Sequence, residues 1–319
     1  MTAPPPPALR WPIVAPLLGV VALALTWGRD LGLLPVLLVA VALAASVLAA
    51  VHHAEVIAHR VGEPFGSLVL AVAVTVIEVA LIVTLMISGG DKTSTLARDT
   101  VFAAAMITMN GIVGISLIAG ARAHGVPRFN AEGTGSALAC VVSIATLSLV
   151  LPNFTTATPG AQFSGSQLAF AAVASAALWG MYVLTQTVRH RDFFLPVEDD
   201  DTASADVHAD PPTDRQALTS LGLLLLALVA VVGLAKVESP AIEAGVAAAG
   251  FPPSFVGVVI ALLVLLPETI ASVNAARRNL MQTSLNLAYG SAMASIGLTV
   301  PVIAIASIWL EGPLVLGLG

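Results

Sequence analysis

Nine stretches of about 20 residues run almost without charge along this chain, and each is long enough to cross about 30 Å of hydrocarbon as a helix. They lie near 11–27, 31–51, 66–88, 100–121, 134–151, 166–186, 217–236, 254–276 and 284–310. Gly and Pro interrupt several, which membrane helices tolerate where neighbours satisfy the freed backbone groups. Across 319 residues, 57% are apolar and only 10% charged, with a mean hydropathy of +0.95. So little charge cannot cover a soluble surface of this size, so the bilayer is the main solvent. The predicted fold class is an all-α polytopic membrane protein.

The remaining composition excludes other classes. No basic patch points to nucleic acid, and the single Cys140, inside an apolar run, excludes an internal disulfide. The run from Trp11 to Trp27 is preceded only by Arg10 and followed by GRDLG, a poor cleavage site, so it reads as a retained first span. Lys and Arg in the connections set the orientation. Arg10, Arg60, Arg122, Arg128, Arg189, Arg191, Arg215, Arg277 and Arg278 collect on one side, against Arg29, Lys92, Arg98 and Lys236 on the other. The N-terminus is therefore expected in the cytoplasm.

Two of the apolar runs carry a glutamate near the middle, Glu78 in AVAVTVIEVALIV and Glu268 in ALLVLLPETIASV. Charged side chains at that depth cost about 2.5–3.5 kcal/mol on insertion scales, so a retained carboxylate points to a job such as holding a cation or a proton. The third span runs outward and the eighth inward. Each is followed by a span rich in small polar residues, with Thr108, Asn110, Gly111, Gly114 and Ser116 in one and Asn286, Gly290, Ser291, Ser295 and Thr299 in the other. Two similar helix pairs of opposite orientation are the pattern of an inverted-topology transporter with a midplane site. Small residues also pack helices without any ligand; the matched glutamates favour transport. If the third span is second in a five-helix repeat, the eighth is second in another, and about nine spans of an expected eleven are present. The expected division is a first span at 1–30, a first repeat at 31–188, an acidic cytoplasmic linker at 189–216 and a second repeat at 217–319.

Desolvation favours a neutral carboxyl and a nearby cation favours a charged one, so such a group can alternate between H⁺ and metal. Two carboxylates from facing helices neutralise one divalent ion. Ca²⁺ takes six to eight oxygens, so further ligands are expected from Thr75, Asn110 and Ser291, from backbone carbonyls near Pro267 and from water. Asn286 and Ser295 are secondary candidates. Pro267 removes the helical donor of a carbonyl one turn back, which makes either a cation ligand or a simple kink. His52, His53 and His59 read as solvated interfacial side chains, with proton relay or metal ligation as the alternatives. Glu63 either gathers cations or starts a helix. Seven acidic groups between Glu198 and Asp214, with prolines and few apolar residues, read as a solvated, loosely folded linker.

The segments AHRVGEPFGSLVLAVAVTVIEVALI (58–82) and LLPETIASVNAARRNLMQTSLNLAYGSAMASIGLTVP (265–301) resemble the two halves of a bacterial calcium/proton antiporter of the Cha type, within the cation/calcium exchanger superfamily. Members of this type also exchange sodium and potassium for protons. The likeness covers essentially the whole chain and implies one plus five plus five spans. It implies that Glu78 and Glu268 are the shared cation and proton pair, in a hydrophilic core of spans 3, 4, 8 and 9. Thr75, Val76 and Ile77 stand where the superfamily often has Gly-Asn-Ala, and the last two spans are not expected here. The implied protein is a multi-pass secondary transporter of a bacterial plasma membrane, with lipid, cations and protons as its partners. It needs no cofactor, transports Ca²⁺, Na⁺ or K⁺ against H⁺, and leaves a homo-oligomer open. A prenyltransferase-like enzyme would need paired aspartate-rich motifs, and Asp199 to Asp201 is a lone cluster in the linker. A non-transporting scaffold is the other alternative.

Overall fold

A computed structural model describes residues 11–62, 65–89, 95–197, 212–309 and 314–318. Among them the regular structure is helical: α1 (Trp11–Thr26), α2 (Leu33–Val61), α3 (Phe65–Gly89), α4 (Leu96–Met106), α5 (Val113–His124), α6 (Ala131–Ala145), α7 (Gly165–Leu184), α8 (Asp214–Ala248), α9 (Phe255–Val264), α10 (Leu266–Arg277) and α11 (Met281–Ala306). A π-helical turn at Ile107–Ile112 joins α4 to α5 in one long rod. Six helices are long and apolar enough to cross a membrane, and α9 with α10, bent by 54°, makes a seventh as a broken span. Each of the nine expected runs meets helix, but α1 is only 16 residues long. By length and composition six to seven spans qualify among the described residues, and Trp11–Thr26 and Val72–Ile87 are shorter apolar helices. Glu63 and the acidic stretch 198–211 lie outside the described residues.

The chain divides into two compact units that cut across the sequence repeats. One is 1–85 with 211–253; the other is 86–210 with 254–319. In the first, α1, α2 and α8 pack together through small side chains: Ala49, Ala50, Ala54, Ala227 and Ala230 are all fully buried. Without a hydrophobic force between helices in lipid, close approach through small residues is what holds such a bundle. At Gly19 the approach is close, since a Cβ there would sit 2.9 Å from Ala230 Cβ. His53 adds a polar tie, with Nε2 3.0 Å from the Pro12 carbonyl on α1 and Nδ1 3.3 Å from Ser220 Oγ on α8. That use of His53 is structural, in place of the solvated role expected of it. Helix α8 starts on a reciprocal cap between Thr213 and Gln216. It runs to Ala248, twelve residues past the expected end of the seventh span at 236.

In the second unit α11 is central, with 61% of its apolar window buried against 39% for the α4–α5 rod. It packs on α4, α5, α6, α7 and α10. Leu285, Met293, Ile296 and Val300 of α11 share a core with Ile112, Ile144 and Leu149. Gly257 lets α9 approach the α4 backbone, because a Cβ there would lie 2.7 Å from the Thr100 nitrogen. Backbone cannot yield as a side-chain tip can. Gly257→Ala is accordingly expected to destabilise the protein by about 1–3 kcal/mol, whereas Gly222→Ala, with open space around it, should leave stability unchanged or slightly raised. Thermal midpoints of the purified variants in detergent check this; equal midpoints would contradict the close α4–α9 contact.

Candidate functional site

In the first unit, Glu78 lies in the middle of α3 and is 4% exposed. Thr75, also 4% exposed, is three residues earlier and so on the same helix face. Ile77, Val79, Leu81, Ile82 and Leu85 around them are buried as well. A carboxylate and a hydroxyl are thus held together in an apolar setting on an uninterrupted helix.

Glu268 of the second unit sits differently. Helix α9 ends at Val264, Leu265 turns the chain, and Pro267 occupies the opening turn of α10, where its missing N–H costs nothing. Glu268 follows directly, half-buried in the first turn of α10, where the helix dipole favours an anion. The kink expected from Pro267 is therefore a true break. Thr269 Oγ1 donates to the Leu265 carbonyl at 2.7 Å and fastens the turn. One turn beyond Glu268, fully buried Ser272 donates to the Ser284 carbonyl of α11 at 3.2 Å.

The polar residues of the long spans fall into two groups. Ser143, Thr185, Thr187 and Thr219 donate to carbonyls of their own helix four residues back, the usual economy for a hydroxyl in an apolar helix. Thr100, Thr108 and Ser116 along the α4–α5 rod, and Ser284 and Thr299 on α11, do not. All five are buried and their hydroxyls have no hydrogen-bond partner among the described residues. Leaving such a group unpaired costs about 1–3 kcal/mol, a penalty that water or a passing cation removes. Thr108 lies within the π-helical turn, a feature often found at functional sites.

The remaining expected ligands separate. Ser291 is half-buried and Ser295 is 4% exposed on α11; with Ser284 and Thr299 they recur at seven- and four-residue spacing, which places them along one face. Asn110 is exposed, and its Nδ2 donates to the Met106 carbonyl 3.1 Å away. Asn286 is bound into a clamp instead. Its Nδ2 donates to the Phe194 carbonyl at 2.6 Å, its Oδ1 accepts from Gln282 Nε2 at 2.9 Å, and Gln282 Oε1 accepts from the Asn130 nitrogen at 2.6 Å. Both ends of the Asn286 amide are thereby used. Among the described residues no three His, Cys, Asp or Glu side chains assemble, so the oxygens available are mostly hydroxyls and single carboxylates.

Sequence reasoning missed Ser272, Ser284, Gln282 and Glu238. Ser272 was findable, being four residues after Glu268 on one helical face. Glu238 was placed just past a span end, yet it is 3% exposed on α8, and its Oε1 has no hydrogen-bond partner among the described residues.

The chain is a helical membrane protein with a glutamate inside each of two apolar helical segments, and its family is one of secondary ion transporters rather than enzymes. Residues 31–188 and 219–317 match the sodium/calcium exchanger protein family, and the chain belongs to that family. A Sinorhizobium fredii protein named as an ionic transporter, y4hA, is 46% identical over 97% of this chain and 84% of its own length. The sodium-potassium/proton antiporter ChaA of Escherichia coli is 36% identical over 96% of this chain and 84% of its own. Among solved structures, the H⁺/Ca²⁺ exchanger CAX aligns with a TM-score of 0.70 at 15% identity, covering 96% of this chain and 75% of its own. Native YfkE aligns with 0.65 at 17% identity, covering 98% and 85%. These likenesses establish the exchanger fold, and the chain is an integral membrane protein.

The Asn286 clamp generates its own test. Asn286→Asp keeps the shape but replaces the donor to the Phe194 carbonyl with an acceptor, at a cost of about 1–3 kcal/mol. A lowered thermal midpoint and faster proteolysis near 191–197 are expected; wild-type behaviour in both would show the clamp to be immaterial.

Proposed function

We propose that the chain is a cation/proton antiporter of a bacterial plasma membrane, with its N-terminus in the cytoplasm, exporting Ca²⁺ against inward H⁺ by alternating access. Glu78 and Glu268 each hold the cation in one stage and a proton in another. The observation that supports this reading is a glutamate inside each of two apolar helical segments, one buried on α3 and one opening α10. A carboxylate in an apolar setting must be neutralised by a proton or by a cation, which is the minimal chemistry of such an exchanger. Thr75, Ser291 and Ser295 are the supplementary oxygens, with Asn110 available if its side chain leaves the Met106 carbonyl. Asn286 acts as support. The unpartnered hydroxyls of the α4–α5 rod and α11 form the hydrated path.

A second reading, Na⁺ or K⁺ as the exported cation, is favoured by the 36% identity to a sodium-potassium/proton antiporter. Thr75, Val76 and Ile77 supply one hydroxyl and no amide before Glu78, which suits a weaker demand for oxygens than Ca²⁺ makes.

Everted vesicles carrying the protein, acidified by respiration, measure both. Ca²⁺, Na⁺ and K⁺ added in turn are expected to release protons in wild type, and their order assigns the cargo. Glu78→Gln and Glu268→Gln should each abolish the signal while inserting normally; exchange retained in either would falsify its role. Thr108→Val keeps shape but removes an unpartnered buried hydroxyl. It should hold or raise the thermal midpoint while slowing exchange several-fold, and unaltered exchange would remove Thr108 from the path.

A further inference from the structure

Helices α5 and α10, both in the second unit, leave an open groove of about 480 Å³ between them, inside the range of roughly 300–1,000 Å³ typical of ligand clefts. On α5 its wall is Ile115, Ile118, Ala119 and Arg122; on α10 it is Val273 and Arg277. The first set recurs at three- and four-residue spacing and the second is one turn apart, so each is a single helix face. Ile115 and Ile118 are 51% and 54% exposed, which leaves the apolar floor open. Both arginines stand at the C-terminal ends of their helices. The helices meet there, with His124 Nε2 2.8 Å from the Arg277 carbonyl. Gly120 faces α10 at this point, where a Cβ on it would lie 3.5 Å from the Ala276 carbonyl, an ordinary contact distance. Neither guanidinium has an acidic partner among the described residues. Cations at helix C-termini and on the inner membrane face are common. That accounts for single arginines, but not for two closing one end of an exposed isoleucine groove.

We propose that this groove binds an anionic phospholipid, with an acyl chain along Ile115, Ile118 and Val273 and the headgroup phosphate held by Arg122 and Arg277. Guanidinium forks suit phosphate geometry and its charge, and basic pockets between membrane helices take such headgroups. A free phosphate would leave the isoleucines unused, and a zwitterionic lipid would offset none of the net charge of the arginine pair, where a singly anionic one offsets half. The site also sits at the far end of α10, whose first turn carries Glu268, so the lipid would steady the helix bearing that carboxylate.

Binding needs no ion movement, so its outcome is independent of whether the chain exchanges cations. The full chain, purified and delipidated in detergent, is given phosphatidylglycerol or phosphatidylcholine and read by native mass spectrometry. One retained phosphatidylglycerol per chain is expected, with phosphatidylcholine weaker by at least about tenfold. Arg122→Gln with Arg277→Gln should lower phosphatidylglycerol retention to the phosphatidylcholine level, and Arg189→Gln should not. Ile118→Trp, which fills the groove and leaves both arginines, should also lower it, and decides the matter if the double variant does not fold. Equal retention of the two lipids, unchanged retention in the variants, or displacement by glycerol phosphate at equal concentration would overturn the assignment.

Discussion

The shortage of polar partners in hydrocarbon governs this protein. In water a buried hydroxyl or carboxylate competes with solvent, whereas in a bilayer it must find its partner within the protein, from an ion, or from the few waters it can trap. Most polar side chains here obey by bonding the carbonyl one turn back. Of those that do not, five hydroxyls lie along the α4–α5 rod and α11, adjoining helices of one unit, while Thr134, Tyr182 and Glu238 lie on α6, α7 and α8. The five make a row of oxygens with which water can pair.

Such a row survives only if the scaffold around it is stiff. The scaffold's device is close approach through small side chains. Gly19 and fully buried alanines let α1, α2 and α8 interlock in one unit; Gly257 brings α9 onto α4 in the other. His53 in the first unit, and Gln282 with Asn286 in the second, then fasten elements distant in sequence. These polar fasteners are fully engaged, which is why they differ in kind from the hydroxyls left over.

Much of this was legible in the sequence, for physical reasons. Lipid-length apolar runs placed every helix, because nothing else in the chain could carry so little charge. The break in the eighth run was foreshadowed by Pro267, though not its 54° bend. What could not be read was partnership. Asn286 and Ser291 look alike as candidate ligands, and only a fold shows that Phe194, 92 residues away, claims the Asn286 amide. His53 was misjudged for the same reason, its partners being 41 and 167 residues distant. The seventh span was expected to end at 236, with Lys236 read as part of a connection, whereas α8 runs on to Ala248. Lys236 instead reaches over the Trp27 ring, 5.2 Å from its centre, so a charge near a span end did not stop the helix.

The two helical segments that carry Glu78 and Glu268 are unequal in build. Both are entered through a glycine of positive φ, Gly62 after α2 and Gly250 after α8. Beyond that point α3 runs unbroken through Glu78, while the second segment breaks just before Glu268. The fastenings follow the break. Below it, α10 is tied to α11 through Ser272 and to α5 through His124. Above it, α9 rests on α4 through Gly257. Glu268 stands at the joint between these two anchored pieces, so a change in its charge acts where the helix is already discontinuous and least costly to bend. Glu78 has no such joint, since α3 is continuous on both sides of it. One carboxylate thus stands at a break between two helices and the other inside an unbroken one, so the backbone around Glu268 is the easier of the two to bend.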